Sequence, residues 1–225
     1  MGKGQHNEIG SLQGTNVVVG NRGRATSAAP AAAPEKSKRL AEDTRTVFVI
    51  HGRDIEARDA LFDFLRALGL KPQEWEHLVR ATGKGAPSLA EVVTRAVREA
   101  QAVVALLTPD DVVRLHPELR DGSDTEDERS AGCQARPNVF LELGMALGLL
   151  PDHTIILEVG GMRRTADLAG LNYVTVDPTL TWRNKVAERL RTAGCPVDQA
   201  GGDWQNPHWF ADLGAYRRRP KKGDR

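Results

Sequence analysis

Two uninterrupted apolar runs constrain this chain more than anything else in it. Thr46-Val-Phe-Val-Ile-His51 and Ala102-Val-Val-Ala-Leu-Leu-Thr108 carry no polar residue between their ends. A half-exposed strand alternates apolar and polar positions; a run without alternation belongs to a strand covered on both faces, as in a parallel sheet wrapped by helices. Helical periods separate the runs. Ala57, Leu61, Phe64, Leu65 and Leu68 share one face, and Gly69 stops that helix. Leu89, Val92, Val93, Ala96 and Val97 form a second stripe within Ser88 to Ala100. Leu70 to Trp75 reads as an edge strand, because Pro72 cannot donate to a ladder. A helix over Asn138 to Leu150, strands at His153–Leu157 and Tyr173–Val176 and a helix from Trp182 to Ala193 complete the pattern. Alternating strands and helices predict an α/β fold, a doubly wound parallel five-stranded sheet in the flavodoxin-like order 2-1-3-4-5.

The remaining sequence flanks that unit. Residues 1–43 form an arm and linker, with Ser-Ala-Ala-Pro-Ala-Ala-Ala-Pro and then a charge run. Within the arm, Val17 to Val19 suit either disorder or a small strand paired with a partner. Residues 44–197 form the domain, and 198–225 a basic C-terminal tail with disorder as its default. A net charge of +1 argues against nucleic acid as partner. No segment has the apolar length of a membrane span or a signal peptide, so the expected location is cytoplasmic, with Cys133 and Cys195 as reduced thiols. The acidic stretch 117–130 lacks metal-loop spacing, and no metal is expected.

One side chain stands out against this frame. Glu142 is the sole ionisable group in the apolar helix Asn138–Leu150. A helix apolar all round is expected to be buried, and a carboxylate there must find a partner, reach water or shift its pKa. It is either an accident at the rim of a core or a group placed for chemistry. Ligands of such sheets bind outside the carboxyl ends of the strands, where the strand order reverses. Here the reversal lies between strands one and three, which end in His51-Gly52-Arg53-Asp54 and Thr108-Pro109-Asp110-Asp111. Gly52 suits a turn or a close ligand approach. Arg53 suits a phosphate or solvent. Asp54 suits a helix cap, and Asp110 a turn or a ribose hydroxyl. Residues 76–88, with Arg80 and Lys84, read as a basic loop, either an ordinary surface loop or a lid over a phosphate ligand.

Val47-Phe-Val-Ile-His51-Gly-Arg-Asp54, Val104-Ala-Leu-Leu-Thr-Pro-Asp-Asp111, Arg136-Pro-Asn138-Val-Phe-Leu-Glu142-Leu-Gly144 and Leu168-Ala-Gly-Leu171 resemble, in order, the motifs of bacterial TIR-like domains. The nearest branch is the group of predicted nucleotide-binding proteins with a TIR-like domain, found as effectors of anti-phage systems such as CBASS and Pycsar. The resemblance covers about residues 45–195 and implies the same flavodoxin-like sheet. It implies NAD+ as substrate rather than cofactor, cleaved between nicotinamide and ribose. Glu142 falls on the catalytic glutamate. His51, Gly52 and Asp110 would line the site, together with Arg53 and Asn138, and the loop bearing Arg80 and Lys84 would gate it. The resemblance further implies self-assembly, with activation through assembly or through a separate partner chain. Two other functions fit the same residues: a nucleoside deoxyribosyltransferase-like enzyme, and a non-catalytic module that binds a nucleotide or another such domain.

Overall fold

The computed structural model describes residues 43–163, 170 and 172–221. The N-terminal arm with Val17–Val19 and most of the Leu168–Leu171 motif lie outside the described residues. The central sheet contains β1 (Thr46–His51), β2 (Lys71–Gln73), β3 (Ala102–Leu107), β6 (Thr154–Val159) and β7 (Val174–Val176). Its order is β2-β1-β3-β6-β7 and every pairing is parallel. This is the expected α/β architecture, with the reversal of order between β1 and β3.

Helices cover both faces. Val47 and Val49 point into a core built with α1 (Ile55–Ala67) and α6 (Thr181–Thr192). Phe48 and Ile50 point into the opposite core, with α2 (Trp75–Ala81), α3 (Leu89–Glu99) and α5 (Pro137–Leu149). Local chemistry sets the helix ends. Asp54 accepts from Ala57 N–H (3.0 Å) at the start of α1, and Gly69 ends it at φ +76°. Ser88 and Glu91 form a reciprocal capping box on α3, and Pro137 opens α5, where its missing N–H is no loss.

Four expectations need correction. Residues 76–88 are not loop throughout: α2 occupies their first half, because Leu78 and Val79 pack on the α3–α5 core, and the irregular part begins at Thr82. The edge strand is limited to Lys71–Gln73. The stretch after β3 is tied down by a two-stranded antiparallel ribbon, β4 (Asp111–Val113) with β5 (Gly132–Gln134), joined through the short capped helix α4 (Glu126–Arg129). The basic tail is not a loose tail over its described length. Three 3-10 turns (Asp203–Gln205, Pro207–Phe210, Gly214–Arg217) bury Trp204, Phe210, Leu213 and Ala215 against α1 and α6. Fully buried Arg183 on α6 stacks on the Phe210 ring (5.2 Å) and donates to Asn206 O (2.8 Å). Aromatic anchors, not charge, decide how this segment behaves. Among the described residues no helix is long and apolar enough to cross a membrane.

Candidate active site

The C-terminal ends of β1 and β3 meet through Gly52 and Asp110. Asp110 Oδ2 accepts from Arg53 N–H at 2.7 Å, and a Cβ on Gly52 would overlap that carboxylate. Only glycine permits this approach. The same hypothetical Cβ lies 3.7 Å from Arg136 Cγ, so the residue that opens α5 also borders Gly52. Arg136 Nε stands 3.9 Å from Asp111 Oδ2. Three polar clusters distant in sequence therefore converge at one edge, as the topology requires.

Glu142 lies in the second turn of α5, whose Val139, Leu143 and Ala146 pack on the Phe48–Ile50 face of the sheet. The helix is not buried all round. Leu141 is 56% exposed, and nothing approaches within 4 Å of a Cβ built on Gly144 or Gly148. Asn138, Leu141, Gly144 and Gly148 form an outward stripe, which the sequence conceals because leucine and glycine carry no polar mark. Glu142 sits half-buried between that stripe and the core. Burial alone pushes its carboxyl from 4.5 up to about 7, with no described cation or donor offsetting it. The neutral acid is therefore far better populated near pH 7 than for an exposed carboxylate.

The other expected site residues divide. Gly52, Arg53 and Asp110 gather at the strand ends, and exposed Asn138 stands one turn before Glu142. Asp110 is engaged on both oxygens, by Arg53 N–H and by Arg218 at 3.8 Å, and its side chain is 4% exposed. It positions this edge. His51 follows the parity of Val47 and Val49, so its ring meets Phe62 edge-on (6.4 Å) on the α1 side, opposite α5. Burial lowers its pKa. Arg80 Nε turns back to Glu76 O (3.2 Å), and Lys84 pairs with Glu91 on α3. No hydrogen bond or ion pair joins either to Gly52, Asp110 or Glu142 among the described residues.

Two participants, and one further buried carboxylate, escaped the sequence reading. Arg136 caps α5 beside Gly52. Arg218 joins from the C-terminal segment. Glu158, 7% exposed, is a second carboxylate at the end of β6; strand parity turns it toward the α5 side, and its register partner is Leu107. A lone acid inside Ile-Ile-Leu-Glu-Val was the available signal. Among the described residues no cluster of His, Cys, Asp or Glu could hold a metal. Two surface grooves lie elsewhere. One of about 610 Å³ follows the outer face of α3, and one of about 580 Å³ lies at the sheet's N-terminal edge near Asp43 and Lys71. Ion-paired surface side chains line both, whereas the strand-end convergence at Gly52 and Asp110 lies at the opposite edge.

Comparison with known proteins agrees with this architecture. Residues 46–178 match the family model described as CAP12/Pycsar effector protein, TIR domain. Over 157 residues the chain is 29% identical to the uncharacterized protein YuaY of Escherichia coli (strain K12), covering 69% of this chain and 48% of that protein. The chain thus spans about half the length of that curated relative.

Proposed function

The chain belongs to the CAP12/Pycsar effector family of TIR domains, bacterial TIR-like anti-phage effector domains, and on that premise we propose that it hydrolyses NAD+ between nicotinamide and ribose, with Glu142 as catalytic carboxylate. The observation that carries the reading is a half-buried carboxyl, unpartnered among the described residues and raised to about 7, on the helix whose N-cap residue borders Gly52 at the switch point of the sheet. The bond to be broken joins a cationic ring to the ribose. When it breaks, nicotinamide leaves neutral with the bonding pair, so no acid is needed to protonate it. The positive charge passes to the ribose, and a fixed carboxylate opposite that charge stabilises it in a site of low dielectric. Water then attacks the ribose carbon and releases one proton, giving ADP-ribose.

The raised pKa fits this chemistry. In the empty site the neutral acid is well populated; an approaching pyridinium would favour the ionised form, as opposite charges within a few ångströms do. The group becomes an anion as the cation that it must stabilise arrives. Gly52, Arg53 and Asn138 would line the site, with Asp110 as positioning residue. His51 would wall its α1 side, and the Arg80–Lys84 segment would meet a ligand only by swinging toward α5. Activation would come through self-assembly or a separate partner chain.

The test is incubation of concentrated protein with NAD+ and chromatography for nicotinamide and ADP-ribose. Glu142→Gln should slow cleavage by roughly 10²–10³-fold, the usual effect of removing one electrostatic stabiliser. Full activity in that variant would end the assignment. Binding of ADP-ribose by a wild-type protein that releases no nicotinamide would favour the non-catalytic module instead.

A further inference from the structure

The C-terminal segment brings a guanidinium to the β1–β3 switch point. Phe210, Leu213 and Ala215 hold the segment in the α1–α6 core, Tyr216 O–H donates to Phe210 O (2.9 Å), and Gly214 N–H donates to Glu56 Oε2 (2.9 Å). From that anchor Arg218 Nη1 donates to Asp54 Oδ2 at 2.5 Å and lies 3.8 Å from Asp110 Oδ1. The Asp54 side chain is 2% exposed, whereas that of Arg218 is 41% exposed. Arg218 Nε and Nη2 have no hydrogen-bond partner among the described residues. One side of the guanidinium is fixed by two buried anions, while the side chain as a whole stays 41% exposed.

The same two carboxylates close the seat that a doubly wound fold normally offers a phosphate. That seat is the set of amides at the start of the first helix. Here Asp54 occupies the N-terminus of α1 by accepting from Ala57 N–H, and Asp110 takes Arg53 N–H. A diphosphate at this edge must be met by side chains. Besides Arg218, two arginines stand there: Arg53, whose guanidinium makes no hydrogen bond among the described residues, and Arg136 beside Gly52.

We propose that Arg218, positioned by Asp54 and Asp110, forms with Arg53 and Arg136 the seat for the diphosphate of a dinucleotide. The C-terminal segment then completes a site that the family match, ending at residue 178, does not contain. The proposal deepens the NAD+ reading and rests on it only for the choice of ligand. A planar fork suits this task because it can bond an anion while its other edge stays held; an ammonium at the same place acts as a point charge.

Calorimetric titration with ADP-ribose tests it, on wild-type protein, Arg218→Ala, Arg218→Lys and Arg217→Ala. Arg217 is the exposed neighbour, paired with Asp212, and serves as control. Wild type should bind ADP-ribose. Both Arg218 variants should bind at least about tenfold more weakly, and Arg217→Ala within about twofold of wild type. Arg218→Lys keeps a cation against Asp54; it decides the matter if Arg218→Ala fails to fold, and its melting temperature should match wild type. Wild-type affinity in a folded Arg218→Lys would overturn the proposal and leave Arg218 as a clamp. So would a wild-type protein that does not bind ADP-ribose. Binding without nicotinamide release would refute the nucleosidase and leave this site standing.

Discussion

Glu142→Gln should stabilise the protein increasingly as the pH rises from about 4.5 through about 7. The folded chain raises this carboxyl from 4.5 to about 7 through burial, so folding favours the neutral acid. The sign follows from that direction. Stability from the neutral form is fully present below about 4.5 and is lost as the pH rises through about 7. At about 1.4 kcal/mol per tenfold change in proton affinity, the ceiling is about 3.4 kcal/mol. Half-burial leaves the group partly hydrated, so about 2 kcal/mol is the figure to test. Glutamine has the shape of the neutral acid and does not titrate. For a domain of this size about 2 kcal/mol corresponds to a rise of roughly 4–8 °C in Tm. Scanning calorimetry of both proteins at pH 5, 6, 7 and 8 should show curves that nearly coincide at pH 5 and separate progressively, the variant melting higher at pH 8. A gap independent of pH would refute the reasoning. A variant less stable at pH 8 would show that Glu142 is held as an anion by a partner.

Three further outcomes follow from the geometry. For NAD+ cleavage, kcat/KM should rise with pH through an inflection near the free-enzyme value of about 7, and kcat should inflect lower because the bound pyridinium favours the anion; a bell with its maximum below pH 6 would contradict this. Truncation after Gly202 removes Trp204, Phe210 and Leu213 from the core, each contributing about 1.5–3 kcal/mol by burial, so Tm should fall by more than about 10 °C, and an unchanged Tm would contradict the packing. Gly52→Ala forces a methyl onto the Asp110 carboxylate and should cost about 1–3 kcal/mol of stability while weakening ADP-ribose binding; a variant neutral in both would show that the strand ends have room to part.

The sequence revealed those features whose physical cause lies within a dozen residues. β1 and β3 were plain because a strand buried on both faces has no polar alternation, and Gly69 and Ser88 marked helix ends because caps are local. Glu142 was visible as one charge in an apolar run. Helix α2 was hidden because it has seven residues and inherits the glycines and proline that follow it. The C-terminal segment was hidden because its anchors Trp204, Phe210 and Leu213 follow no helical or strand period and sit among glycine, proline and polar residues just before the basic run at Arg217. Asp54 and Asp110 could each be read as a cap or turn residue. Their common partner Arg218 lies 164 positions from Asp54, and no local pattern could join them.

The charge layout suggests why both halves of the site were built this way. Arg136 opens α5, and Glu142 lies six residues along the same helix, a rise of about 9 Å. One end of that span is bordered by guanidiniums, and the other carries a carboxyl raised to about 7 that an approaching cation would drive toward its ionised form. NAD+ has the matching pattern, a diphosphate on one side of a ribose and a pyridinium on the other. On the proposed reading the two ends would be coupled: seating the diphosphate would deliver the pyridinium, and the pyridinium would favour the anion needed for cleavage. On this argument a ligand without the pyridinium, ADP-ribose itself, should bind without releasing a proton near pH 7, whereas NAD+ should release part of one on binding to a slowly turning-over preparation. Calorimetry in two buffers of different ionisation enthalpy distinguishes the cases, and equal proton release for both ligands would break the coupling.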